Sequence, residues 1–338
     1  MTPVAPWRRR IESDPAPPPP TTSPTAGLEG GRNIPDRVFR GLALGSGLLV
    51  LVVLALILIS TSKEAWPAFR QEGFHFLTSK EWSPSQGHFG ALAFVYGTLV
   101  VSAIALLLSV PVSIGLALFI TEVAPRAVRA PVVYLVDLLA AIPSVVYGLW
   151  GVLVFGPQIV KVLDGLAAKV AGVPVLGTLL AGPASQKSFA TAGIILAIMI
   201  TPIITSISKE VFATVPREQK EGALALGATR WEMIRGAVFP YSRTGIVGAV
   251  MLGLGRAMGE TIAVALMIGS QHEISAHLLG PGDGMAAVIA NEFGEASGVH
   301  RASLIGLGVV LFVMTVVVNL AARAVTSRAD RRLGGARA

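Results

Sequence analysis

The sequence predicts an all-α, polytopic membrane protein with six transmembrane helices, and three observations point there. Of 338 residues, 53% are hydrophobic and only 14% are charged, with a mean hydropathy of +0.68, whereas a soluble domain carries about 25% charged residues. The 37 glycines and 22 prolines accord with spanning helices, where neighbouring helices re-satisfy freed backbone groups. The basic residues sit at the ends of apolar segments. With six crossings, 19 of the 27 lysines and arginines fall on the side of the termini and seven on the other, and Arg256 alone lies within a span. The positive-inside rule then places both termini and the loop 214–243 in the cytoplasm. Five or seven crossings would put one basic tail outside. The same distribution explains the net charge of +7 without nucleic acid, because no basic patch is interleaved with aromatics. The absence of cysteine excludes disulfides and thiolate metal sites.

Residues 1–40 are polar and Pro-rich, with the run Pro17–Pro20. They cannot bury a core and read as a disordered tail, or as a ligand for a domain that binds polyproline helices. Gly41–Ser60 is uncharged over 20 residues, enough at 1.5 Å per residue to cross about 30 Å of hydrocarbon. It gives the first span, 41–61, and is too long for a signal h-region. Residues 62–89 carry Trp66, Phe69, Phe74, Phe76 and Trp82 and read as an external interfacial loop. The core of five further helices, 90–322, follows. Gly90–Thr121 reads as one long helix with Pro111 inside it. Val132–Phe155 is the third span and holds Asp137, and Gly156–Lys187 is a loop broken by glycine and proline. Phe189–Val211 is the fourth span, Gly245–Ile268 the fifth, Gly269–Arg301 a polar loop and Ala302–Ala322 the sixth. Residues 323–338 form a basic tail.

Several chemistries are missing. No Gly-Lys dipeptide occurs, so no Walker A loop cradles ATP phosphates. All five histidines fall in loops assigned outside, and His272, Glu273 and His277 miss the zinc-peptidase spacing by one residue. The histidines read as structural or solvated, no catalytic residue and no metal ligand is assigned, and no serine has a matching base.

The loop 214–243 is more informative. Glu218–Leu226 is built of helix formers and ends at Gly227, as a C-cap glycine ends a helix. Trp231–Val238 has room for another turn or two before Pro240. At about 30 residues the loop exceeds the usual connection length, so it reads either as a solvated connection or as a knob for docking a protein.

The knob resembles the coupling motif of ABC-importer permeases: E-A-A, three residues, G, then an apolar stretch ending in L-P. Here the positions are Glu221, Gly222, Ala223, Gly227 and Phe239-Pro240, with Gly222 in place of alanine and Phe239 in place of leucine. Phe76–Ser79, Glu81-Trp82, Phe89–Ala91, Tyr96–Thr98, Ala141–Gly151, Gly255–Thr261 and Ile289–Ala296 are similar to phosphate-importer permeases of the Pst type. Gly259–Gly269 is nearer the PstC than the PstA branch. The match runs from about Gly73 to Ala322. The resemblance implies a type I ABC-importer permease fold in the bacterial inner membrane. It implies a second, PstA-like permease, two ATPase subunits that carry ATP and Mg²⁺ and receive the elbow, and an external phosphate-binding protein. It implies no enzyme activity and no cofactor on this chain.

Read by itself, the fifth span puts Arg256 near the bilayer midplane, where a charge costs about 2.5–3.5 kcal/mol and needs a partner or a wet cavity. Glu260 is one turn on and in position to pair with it. Ala249, Gly253, Ala263 and Met267 share that face, and Gly255 and Gly259 form a G-x-x-x-G ridge for close helix contact. A guanidinium offers a fork of donors that fits phosphate oxygens. Two readings fit Arg256 and Glu260: a translocation pathway, or a structural pair at a subunit contact. Asp137 lies nearer the cytoplasmic end of its span and reads as a partner for the Arg256 system, on the pathway, or as a structural contact with the partner subunit. Rival functions are a carrier driven by an ion gradient, which leaves the elbow unexplained, a permease for another oxyanion, and a membrane scaffold for signalling proteins.

Overall fold

The computed structural model describes residues 34–334 of the chain and the side chains of residues 37–324. Residues 1–33 of the Pro-rich tail and the last four residues lie outside them. Helix α1 (Ile34–Glu72) leads to a short α2 (His75–Thr78) and a two-strand hairpin, β1 (Trp82–Ser83) and β2 (His88–Phe89). Then come α3 (Leu92–Leu118), α4 (Arg126–Ala141), α5 (Ser144–Trp150), α6 (Gly156–Val170), α7 (Leu176–Leu179) and α8 (Phe189–Ala213). The chain closes with α9 (Arg217–Ala225), α10 (Arg230–Met233), α11 (Phe239–Met258), α12 (Ile262–Ile268), α13 (Met285–Glu292) and α14 (Gly298–Gly334). Three π-helical turns, Phe119–Val123, Gly151–Phe155 and Ile234–Val238, continue α3, join α5 to α6 and join α10 to α11. Six helical runs among the described residues are long and apolar enough to cross a membrane.

The chain divides within α1, at Ile57. Among the described residues the first unit is a single helix whose Leu48, Leu49 and Leu51 are exposed. The second unit, from Leu58, holds every buried cluster. The helix was expected to stop at residue 61 and instead reaches Glu72. Its last turns are amphipathic: Ala65 and Ala68 are buried, and Phe69 meets Phe76 edge-on at 5.3 Å. Hydrophobicity ended there, but helix periodicity did not.

The third span also moves. Pro143 disfavours the α conformation at the residue before it, and Ile142 is extended, with ψ 128°. The apolar stretch 132–155 is therefore two helices, and α4, with Asp137, buries only Val136. The run long enough to span is Ser144–Val170, so much of the loop expected at 156–187 is helical.

The core lies where α3 and α8 pack along their length, joined by α11 and α12. Ile195, Leu196, Ile200, Ile204, Met267 and Ile268 are buried there. Glycines set the approach distances. A Cβ at Gly148 would stand 2.7 Å from Leu266 Cδ1, and one at Gly151 would stand 2.8 Å from Met267 Sδ. The stretches 142–151 and 262–268 thus pack helix against helix, α5 on α12. Near the elbow, Ala117, Phe212, Val215, Met233 and Val238 form a second cluster. At the opposite end of α3, Phe76, Trp82, Phe94, Met285 and Leu304 form a third. The polar loop expected at 269–301 folds into that end as α13, with Met285 and Val288 buried.

Candidate functional site

The expected fifth span is interrupted. Helix α11 ends at Met258, with Gly259 as its C-cap, and α12 starts at Ile262. The Glu260 carboxylate accepts from the Ala263 N–H at 3.3 Å, capping the new helix. This break undoes the expected pairing. Arg256 is exposed and makes no hydrogen bond or ion pair among the described residues. The small residues assigned to its face lie on the other one: Ala249, Gly253, Ala263 and Met267 are all buried in the core. A Cβ at Gly255 would meet nothing within 4 Å, so the Gly255–Gly259 ridge packs against no other helix among the described residues.

Arg256, Glu260, Gly255 and Gly259 instead line an open cleft of about 540 Å³, with Ile203, Met251, Leu252 and Asn319. Asn319 was missed from sequence, although it is the lone amide in the uncharged stretch 302–322. Asp137 is exposed on α4, outside the residues that line the cleft, and pairs with no charge among the described residues. The cleft therefore offers a guanidinium fork, an amide and a carboxylate in apolar walls. Arginine and amide donors suit an oxyanion.

The elbow closes as expected at Gly227, whose φ of +85° is a left-handed value. The Gly227 N–H bonds the Leu224 carbonyl at 3.0 Å, and the Ala228 N–H bonds that of Ala223 at 3.2 Å. This pair of bonds is a Schellman cap. Thr229 then starts α10 with a capping box. Its hydroxyl accepts from the Glu232 N–H at 3.3 Å, and the Glu232 carboxylate accepts from the Thr229 N–H at 2.8 Å. Two caps back to back fix the turn between α9 and α10. Glu221 and Gly222 are exposed and Ala223 leans on the cluster below, while Leu226 is 91% exposed at the tip. Pro240 does not end the elbow. It lies in the first turn of α11, inside a continuous helical run from Arg230 to Met258.

At the far end of α3, four segments meet on Glu292. Trp82 Nε1 donates to its carboxylate at 3.0 Å, His300 Nε2 lies at 2.9 Å and His272 Nε2 at 3.8 Å. His272 Nε2 is also 3.3 Å from Asp283 Oδ2, an ion-pair contact. Asp283 is 2% exposed. Its carboxylate raises the His272 pKa, first as an acceptor and then as a charge; Glu292 adds to this and burial opposes it.

Comparison with known proteins decides the family. The model of the binding-protein-dependent transport system inner membrane component family matches residues 109–334. The chain belongs to this family. It is 46% identical over 301 residues to the phosphate transport system permease protein PstC of Mesorhizobium japonicum, covering 88% of this chain and 92% of the relative. It is 43% identical over 310 residues to the protein of the same description from Xylella fastidiosa, covering 90% and 96%. A permease chain of the bacterial alginate ABC transporter, solved in complex with a periplasmic protein carrying an alginate pentasaccharide, matches with a TM-score of 0.56 at 19% identity. That match covers 87% of this chain and 96% of the other.

The fold is thus that of type I ABC-importer permeases, a multi-pass membrane architecture. In this inner membrane component the two glycine-rich stretches that carried the resemblance have distinct jobs. Residues 142–151 pack α5 on α12, and residues 255–261 make the break beside the cleft. Tyr96–Thr98 holds the loop after α12: Tyr96 Oη donates to the Ser275 carbonyl at 2.7 Å, and Thr98 Oγ1 accepts from the Met285 N–H at 3.0 Å.

Proposed function

We propose that this chain is one of two related permease subunits of an ATP-driven importer of inorganic phosphate. Likeness to phosphate transport permeases over nearly the whole chain supports the substrate class. One structural observation carries the site: among the described residues, Arg256 stands without a partner in an open cleft of a membrane-spanning protein. An arginine in hydrocarbon costs about 2.5–3.5 kcal/mol, so this cleft holds water, an anion or a neighbouring subunit. A PstA-like partner completes the pathway across the bare Gly255–Gly259 surface. Arg256 attracts the anion, Glu260 sets the field beside it, and Asp137 faces a partner. Glu221, Gly222, Ala223 and Gly227 form the knob received by one of two ATPase subunits, which hold ATP and Mg²⁺. Pro240 sets the direction in which α11 leaves the elbow. An external phosphate-binding protein docks at the end that carries Glu292, and both termini lie in the cytoplasm of a bacterial cell.

The test is Arg256→Gln in the assembled transporter. Uptake of phosphate into proteoliposomes should be lost while the complex still co-purifies. Normal uptake by that variant would reduce Arg256 to a structural contact.

A further inference from the structure

We propose that the ion pair Lys220–Glu122 is the strut through which movement of α9 reaches α3. The proposal rests on the reading above, that the elbow receives force from an ATPase. Helix α9 buries none of its side chains. Among the described residues, a single side-chain hydrogen bond leaves it for another part of the chain. Lys220 Nζ donates to Glu122 Oε1 at 2.6 Å, across 98 positions of sequence. Both side chains are sheltered, Lys220 at 19% exposure and Glu122 at 9%. A pair removed from solvent in this way is screened much less than a surface pair. It holds direction as well as distance.

The other end of the strut is built to receive a load. Glu122 lies in the π-helical turn Phe119–Val123 that finishes α3. Carbonyls of that turn are held from a second side: Arg129 Nε on α4 donates to Ile120 O at 2.6 Å, and its Nη2 donates to Thr121 O. The end of α3 is thus clamped by two cations from two elements. The apolar side chain of α9 that packs on the cluster near the elbow is the small Ala223. Contacts of that kind slide. The charged pair does not, and α3 carries Tyr96, Gly97 and Thr98 at its far end.

The test compares the complete transporter with three forms altered in this chain, in proteoliposomes, reading phosphate imported per ATP hydrolysed. Lys220→Met/Glu122→Gln removes both charges and so leaves no sheltered charge unpaired, which protects the fold. It should lower the ratio at least about fivefold, the low end of coupling between sites, with the ATPase still co-purifying. Lys220→Glu alone places two carboxylates together and should be worse. The reversed pair Lys220→Glu/Glu122→Lys should recover the ratio, which a role in packing alone would not produce. The strut is overturned if the neutral pair keeps the normal ratio, if the reversed pair stays as poor as the neutral one, or if the ATPase no longer co-purifies with the neutral pair. Phosphate uptake by the unsubstituted complex without ATP hydrolysis would overturn the importer reading and the strut together.

Discussion

Gly97→Ala sets two opposing effects against each other at one position of α3. Replacing glycine by alanine in a helix interior gains about 1 kcal/mol through the unfolded chain. At Gly97, however, the added Cβ overlaps the Asp283 backbone carbonyl and stands 3.2 Å from Phe189 Cε1. A carbonyl cannot rotate away as a side-chain tip does, so the loop that carries it must shift. Overpacking of this kind costs about 1–3 kcal/mol. The shift also strains the two bonds flanking the contact, Tyr96 Oη to Ser275 O at 2.7 Å and Met285 N–H to Thr98 Oγ1 at 3.0 Å, each worth about 0.5–1.5 kcal/mol. The clash wins, with a net destabilisation of about 1–5 kcal/mol, the upper end applying if both bonds are lost. Gly115 on the same helix is the control, since its Cβ would meet nothing within 4 Å; Gly115→Ala should be neutral or stabilising. Thermal unfolding in detergent, followed by circular dichroism, ranks the two variants. If both shift the midpoint in the same direction, glycine at 97 is not there to admit the loop.

Two further outcomes follow from the elbow and the far loop. Glu221→Arg changes an exposed side chain, so the thermal midpoint should stay put, while uptake and ATPase stimulation should fall sharply; normal values for both would remove Glu221 from the docking surface. For His272, a pKa held above 6.5 means that its anchoring of the loop to Asp283 is fully present below about pH 6.5 and is lost as pH rises through the higher folded value. The difference in melting midpoint between the native chain and His272→Gln should therefore shrink from mildly acidic to alkaline pH, and a difference that grows instead would reverse the assignment.

Much of the architecture was legible because hydrophobic runs and caps are local signals. Gly227 announced the end of α9, and Phe189–Val211 matched α8 to within two residues at its end. The failures have a common cause. Val132–Phe155 and Gly245–Ile268 are unbroken in hydropathy, and both are broken in space. Pro143 was a usable signal for the first break, since the residue before a proline leaves the helix. The second was written in Gly259-Glu260-Thr261, a weak helix former followed by a carboxylate that caps the next helix. It was read as one turn between paired charges, because i to i+4 spacing presumes the continuity in question. Helix α13 was hidden for a different reason: its burial depends on Thr98, Phe94 and Leu304, none of them near it in sequence.

The broken fifth span changes what Arg256 can do. In a continuous helix, Glu260 would neutralise it, and an anion would have to displace a carboxylate before binding. With Glu260 occupied at the start of α12, none of the five guanidinium donors is taken among the described residues. Its position also accounts for the bare glycines. Among the described residues a Cβ at Gly255 meets nothing, and one at Gly259 meets only its own helix, at 3.4 Å. Unused close-approach positions next to a charge unpaired among the described residues suit the second permease subunit proposed above. The elbow shows the same incompleteness at the other end of α11, where Leu226 and Trp231 stand in the open beside two well-capped helix ends. The caps fix the backbone of a knob whose Leu226 and Trp231 side chains stay exposed among the described residues. Rigid backbone under exposed apolar side chains suits the proposed docking of an ATPase, because a knob that deformed would absorb a push instead of passing it into the membrane helices.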